Sequence, residues 1–205
     1  MRILFQGDSI TDTGRAKDNN WNLGVGYATL VTAWLGYERP GTEFFNRGIS
    51  GNRVVDVYAR MKRDILNLKP DVMSILIGVN DVWHDFAAEP NGVDAEKYFK
   101  VYSMLIEEIK EALPNIKIMI LEPFLMKYTA TEENWDVFYA EVRKRAAYAK
   151  QIAEKYNLPF ITLQDKFDAA LELAPVDFWS RDGVHPIAPG HEIIKRAGLD
   201  AFEKL

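Results

Sequence analysis

Five short runs of strand length alternating with stretches of helical periodicity leave this chain few ways to fold. The runs lie at 3–5, 43–46, 72–77, 116–121 and 160–163. The third is apolar apart from Ser74, as a strand covered on both faces requires. Between the runs, apolar residues three and four apart mark helices. Leu30, Val31, Trp34 and Leu35 belong to one over 26–36, and Val54, Val57, Met61, Ile65 and Leu68 lie on one face of a single continuous second helix. Phe99, Tyr102, Leu105, Ile106 and Ile109 form the stripe of a third, capped by Asp94 and running to 113. Further helices are expected over 135–156, 166–173 and from 189 onward. Strands alternating with helices imply a parallel sheet with right-handed crossovers and helices on both faces. The expected architecture is therefore a three-layer α/β/α fold with the flavodoxin-like strand order 2-1-3-4-5. With 205 residues and no repeat or linker, the chain makes one domain, 1–205.

Composition narrows the partners. A net charge of −5 offers no electrostatic footprint for a phosphate backbone, which excludes nucleic acid as the natural partner. Cysteine is absent, so disulfides, thiolate metal sites and a cysteine nucleophile are excluded. No stretch approaches the roughly 18 apolar residues of a membrane span, and the first apolar run is too short for a signal-peptide core. A cytoplasmic protein without membrane contact is expected.

In a parallel sheet the carboxyl ends of all strands open onto one edge, where such folds bind ligands. The first strand ends at Gly7-Asp8-Ser9-Ile10, which places the Ser9 hydroxyl at that edge. A serine hydroxyl is a weak nucleophile unless a base lies within hydrogen-bond reach and is itself held by a third group. The D-x-x-H of Asp182 and His185, in the loop before the last helix, returns a base and its orienting acid to the same rim. The turns after the second and third strands carry Gly51 and Asn80, one able to offer a backbone N–H and the other a side-chain NH₂ to a developing oxyanion. Asp8 and Asp81 are expected to shape turns by accepting backbone N–H bonds, and Asp12 and Arg15 to tie down the loop after Ser9 or touch substrate. A competing arrangement joins Asp182, His185 and His191 around a metal, since carboxylate and imidazole suit zinc. It leaves Ser9, Gly51 and Asn80 without a purpose, and His191 reads as structural.

These residues resemble the SGNH or GDSL hydrolases, and the resemblance extends over nearly the whole chain. Residues 7–10 look like the first block, with Ile10 where the eponymous leucine stands, and 46–51 (NRGISG) look like the second. The third is matched by 78–81 (GVND), and Asp182-x-x-His185 matches the fifth. The longer stretches GDSITDTGR, NRGISGN, IGVNDVW and VHPIAPGH are most similar to those of bacterial acetylxylan and related carbohydrate acetyl esterases. The resemblance implies Ser9, His185 and Asp182 as the catalytic residues. It also implies an oxyanion hole of the Ser9 and Gly51 N–H groups with Asn80, and a homo-oligomer. This chemistry needs no cofactor and no metal.

The substrate implied is a small acetylated sugar or oligosaccharide. Trp21, Trp83, Tyr128 and Trp179 fall in predicted rim loops, where aromatic faces can stack on sugar rings, and His84 follows Trp83 toward the same pocket. Phe86 and the 124–126 stretch (FLM) could instead wall an acyl tunnel for longer esters, thioesters or lysophospholipids. A non-catalytic carbohydrate-binding module of the same fold is the reading from a different class, and it leaves the nucleophile and its base unused.

Overall fold

Residues 1–204 are described by a computed structural model. Strands β1 (Arg2–Gly7), β2 (Glu43–Asn46), β3 (Val72–Leu76), β4 (Lys117–Leu121) and β5 (Phe160–Ile161) form one sheet, all pairs parallel, in the order β2-β1-β3-β4-β5. This is the order expected from the alternation of runs and helices. Side chains alternate across the sheet with period two. Ile3 and Phe5 of β1 and Met119 and Leu121 of β4 enter one core, while Leu4, Met73, Ile75, Ile118 and Ile120 enter the other. The first core is closed by α2 (Tyr27–Glu38) and α10 (Ala188–Phe202), with Phe167 of α8 (Gln164–Leu171) stacked 4.1 Å from Phe124. On the opposite face lie α3 (Val54–Ala59), α4 (Met61–Asp64), α6 (Ala95–Ala112) and α7 (Trp135–Tyr156).

Several local expectations are corrected. The continuous helix from Val54 to Leu68 is broken into α3, α4 and a 3₁₀ turn over Leu66–Leu68, with Arg60 (φ −103°, ψ 7°) and Ile65 (φ −129°, ψ −64°) leaving helical geometry. Its apolar spacing is unaffected, because Val54, Val57, Met61 and Ile65 still reach the core. Asp94 precedes α6 without a side-chain cap bond. In α2 the buried face is Tyr27, Ala28, Val31 and Leu35, and Trp34 is turned outward. Ser9, at the turn expected after β1, opens a single helical turn, α1 (Ser9–Asp12), and Asn80 likewise opens α5 (Asn80–Trp83) after β3.

The two carboxyl-edge aspartates act as turn formers. Asp8 Oδ1 accepts the N–H of Ile10 at 3.0 Å, and both carboxylate oxygens of Asp81 accept the N–H of Val54, at 3.0 and 3.2 Å. The second contact joins the end of β3 to the start of α3. Burial raises both carboxyl groups to about 7, against the lowering effect of these hydrogen bonds. The folded state thus holds a proton on Asp81 between the ordinary carboxylate range near 4 and about pH 7, where the unfolded chain does not. The stability this contributes is fully present below about pH 4 and is lost as pH rises through 7. Asp81→Asn keeps an acceptor for Val54 and cannot ionise. The stability difference between it and the native protein should shift in the variant's favour from pH 5 to pH 8, by at most about 1.4 kcal/mol per pH unit. Urea unfolding across that range checks this, and a pH-independent difference would contradict it.

Candidate active site

The carboxyl edge is assembled by short-range constraints at each strand end. A Cβ at Gly7 would collide with the carbonyl oxygen of Leu76 and with Thr11 Oγ1, so only glycine lets β1 run against β3 and turn at once into Asp8-Ser9. Gly51 has φ +80°, the left-handed region that favours glycine, yet a Cβ there would meet nothing within 4 Å. The backbone turn, not crowding, requires this glycine. Asn46 fastens the turn from beneath, donating to the carbonyls of Thr11 and Leu23 at 2.6 and 2.8 Å and accepting from the N–H of Gly48.

Three side chains, with Ser9 and His185 separated by 176 positions in sequence, meet in a line. Ser9 Oγ lies 2.8 Å from His185 Nε2, and His185 Nδ1 lies 2.7 Å from Asp182 Oδ2. The other Asp182 oxygen accepts the N–H groups of Val184 and His185 at 2.9 and 2.8 Å. Burial works to raise the Asp182 carboxyl, but the His185 ring and these two N–H groups outweigh it and hold it at about 2. It is therefore a carboxylate across the neutral range and fixes the imidazole with Nε2 free to accept from Ser9. The segment itself is strapped to the exit of β4, where the Met126 N–H donates to the Gly183 carbonyl at 2.9 Å and the Ala130 N–H to that of Asp182 at 3.0 Å.

The N–H groups of Ser9 and Gly51 have no hydrogen-bond partner among the described residues. Asn80 Nδ2 donates one hydrogen to the Asn52 carbonyl at 3.1 Å, which orients the amide and leaves its second hydrogen unused. All three residues line a cleft of about 520 Å³ that also takes in Ser50, Trp83, His84, Phe86 and His185. A second cleft of about 530 Å³ leaves Ser9 on the other side, past Ile10, Thr13, Val25, Ile187 and His191.

The expected rim is only partly present. Trp83 and His84 line the first cleft, and the Trp83 ring lies 5.8 Å from that of His185 while packing on Phe138. Trp21 is 83% exposed and lines neither cleft. Tyr128 closes a turn whose backbone is bonded to Thr131, away from both clefts. Trp179, at the end of α9 (Val176–Trp179), donates Nε1 to the Ala174 carbonyl at 3.1 Å and packs against the core, beside a separate surface hollow with Leu173 and Pro189. The 124–126 stretch is fully buried and walls no tunnel. Asp12 and Arg15 hold the loops together. Asp12 Oδ2 accepts from the N–H and Oγ of Ser50 at 3.0 and 3.1 Å, and Arg15 Nε donates to the Gly48 carbonyl at 2.7 Å. His191 is buried against Tyr27, and burial, then the neighbouring His185, lowers it to about 4. Among the described residues no three His, Asp or Glu side chains are grouped to hold a metal.

Arg60 has a part that sequence reasoning missed. Its Nε donates to Asn52 Oδ1 (2.7 Å), one terminal nitrogen to the Arg47 carbonyl and Asp64 (2.7 and 2.9 Å), and the other to Gln6 Oε1 and the Gly7 carbonyl (2.8 and 3.1 Å). Five acceptors from β1, the loop after β2, and α4 thus converge on one guanidinium. Its position in an amphipathic pattern reads as a solvated face, and only the cluster of Gly-Asn-Arg residues upstream hints at a demand for donors.

A parallel α/β sheet that aligns Ser9, His185 and Asp182 at its carboxyl edge, beside unpaired N–H donors, defines a carboxylic ester hydrolase. The chain belongs to the GDSL-like lipase/acylhydrolase family, whose model matches residues 5–193. It is 35% identical over 206 residues to an acetylxylan esterase of Geobacillus stearothermophilus, covering 97% of this chain and 92% of the relative. The crystal structure of an acetylxylan esterase from the same organism superposes with a TM-score of 0.86 at 34% identity, covering 98% of this chain and 93% of the other. A protein described as a GDSL-like lipase, from Parabacteroides merdae, superposes with a TM-score of 0.90 at 38% identity, covering 98% and 95%. Solved variants of the Geobacillus esterase include forms described as catalytic mutants, in which a serine, an aspartate and a histidine are each replaced by alanine. Another replaces the tryptophan directly before that aspartate with isoleucine.

Replacing Arg60 by leucine would leave Asn52 Oδ1 and the Arg47 carbonyl without a donor, while Asp64 keeps Arg63, Gln6 Oε1 keeps the Gly7 N–H and the Gly7 carbonyl keeps the Ile49 N–H. A loss of about 2–4 kcal/mol in urea unfolding is expected. Arg60→Lys should recover only part of it, because one ammonium has three donors and no planar fork. A loss under about 1 kcal/mol for Arg60→Leu would show the clamp to be dispensable.

Proposed function

We propose that this protein removes acetyl groups from small acetylated carbohydrates by way of an acetyl-enzyme on Ser9. The observation that carries the reading is the unbroken line from Ser9 Oγ through His185 to Asp182, beside the free N–H groups of Ser9 and Gly51. Ser9 Oγ attacks the acetyl carbonyl carbon as His185 Nε2 takes its proton. The oxyanion so formed is received by the two N–H groups and Asn80 Nδ2. The bond to the sugar oxygen then breaks, and His185 returns the proton to that oxygen. A water gives a proton to His185 and attacks the acetyl carbon, acetate leaves, and the proton goes back to Ser9. Asp182 stays ionised throughout and holds the imidazolium.

A short acyl group is supported by what surrounds the nucleophile. The 124–126 stretch is committed to the core, and of the residues suggested for an acyl wall only Phe86 lines the cleft beside Ser9. A sugar is supported by the combination of Trp83 with polar lining groups at the same cleft, and by the 35% identity to an acetylxylan esterase. In the crystallised Geobacillus esterase an aspartate and a histidine three positions apart are the sites of catalytic mutants, the spacing of Asp182 and His185 here.

Acetate release from acetylated xylo-oligosaccharides, with nitrophenyl esters of increasing acyl length beside it, tests the reading. Ser9→Ala should abolish turnover in a folded protein, and Asn80→Ala should lower kcat about 10²–10³-fold with a smaller change in KM. Rates should fall steeply beyond short acyl chains. A preference for long chains would move the substrate to lipids or thioesters, and full activity in Ser9→Ala would overturn the assignment of the nucleophile.

A further inference from the structure

Four residues line both clefts: Ser9, Ser50, His185 and Arg181. Arg181 is the only Lys, Arg, Asp or Glu among the residues lining either one. In a chain of net charge −5, the approach to the nucleophile therefore carries a single fixed positive charge.

The backbone of Arg181 is held relative to the catalytic line. Its N–H donates to the His185 carbonyl at 3.1 Å, Ser180 Oγ donates to the same carbonyl at 3.0 Å, and Ser180 bridges to Pro186. The side chain is held only by a long ion pair. It is 68% exposed, and its Nε lies 3.6 Å from Asp182 Oδ2, an ion-pair contact too long for a hydrogen bond. Asp182 does not need it, since Oδ2 is already taken by the His185 ring and Oδ1 by two N–H groups. Arg15, Arg47 and Arg60 donate to backbone carbonyls that shape the site. Arg181 makes no such bond and keeps a planar fork of donors free, the geometry that matches a carboxylate. The Geobacillus esterase carries tryptophan directly before the aspartate of its catalytic mutant, so a cation at this place is not shared machinery.

We propose that Arg181 is a specificity residue that pairs with a carboxylate on the sugar part of the substrate, so that acetylated oligosaccharides bearing a uronic acid are preferred over neutral ones. The inference rests on the acetyl-esterase reading above and adds the charge of the substrate to it. The charge-assisted bond forms between the guanidinium N–H groups and the uronate, outside the bonds that change, so its effect falls on kcat/KM and is carried mainly by KM.

The test is kcat/KM for acetate release from an acetylated xylo-oligosaccharide with and without a glucuronic acid side group, and from an acetylated sugar phosphate. Wild type should favour the uronate over the neutral ester about tenfold, less so at high salt. The uronate-to-neutral ratio should fall toward one in Arg181→Gln and be partly kept in Arg181→Lys. Using the ratio removes any change the variant causes in the shared chemistry. Ser9-dependent release with a ratio near one, or one unmoved by Arg181→Gln, would overturn this inference alone. A preference for phosphate over uronate would overturn the assignment to a carboxylate. Release from none of the three would overturn the acetyl-esterase reading and the inference with it.

Discussion

The guanidinium of Arg60 is where the carboxyl edge of the sheet is tied together. It takes the end of β1 through Gln6 and Gly7, and the loop after β2 through Arg47 and Asn52. Asn52 in turn offers its carbonyl to Asn80, so the same node reaches the turn after β3. Each of these turns delivers one group of the proposed site: Ser9, Gly51 and Asn80. An oxyanion hole works only if its donors are already in place when charge develops. Arg60 is mostly buried beside Asp64 and supplies that rigidity from below, without lining either cleft.

The opposite half of the site comes from the far end of the chain and is held by a different device. Asp182 and His185 stand on a loop bonded to the exit of β4, where Gly183 (φ +97°) passes so close that a Cβ would press on the Met126 carbonyl. The loop's own N–H groups close on Asp182 Oδ1. His185 is thus positioned by backbone geometry and Ser9 by sheet register. They meet because β1 lies inside the sheet, between β2 and β3, and the last loop returns over its carboxyl end.

Much of this was legible in the sequence because the relevant signals are local. Period-two alternation within each strand sorts residues between two cores, and the Gly-Asp-Ser, Gly-Val-Asn-Asp and Asp-x-x-His stretches each sit where a strand or loop must turn. Arg60 was not legible, because an arginine in a helical pattern looks the same whether it faces water or five acceptors. The break it makes between α3 and α4 was hidden for the same reason, since the apolar spacing runs on through it. Aromatic residues gave the weakest signal. Trp83 and Trp179 both read as loop residues in the sequence, yet each ends a short helix, and one lines the cleft while the other bonds to Ala174 and covers the core. The apolar 124–126 stretch reads equally as a tunnel wall or as core, and the choice is made by where β4 delivers it.

The account stands on Ser9 becoming acylated. An activated acetyl ester makes acylation fast enough for the intermediate to accumulate, so the protein should be mixed with nitrophenyl acetate, quenched in acid during turnover, digested and mapped by mass. The account predicts an acetyl group on the peptide containing Ser9, lost on further incubation as water completes the cycle. An unmodified Ser9 peptide throughout turnover, with the acetyl group on another side chain or on none, would contradict it.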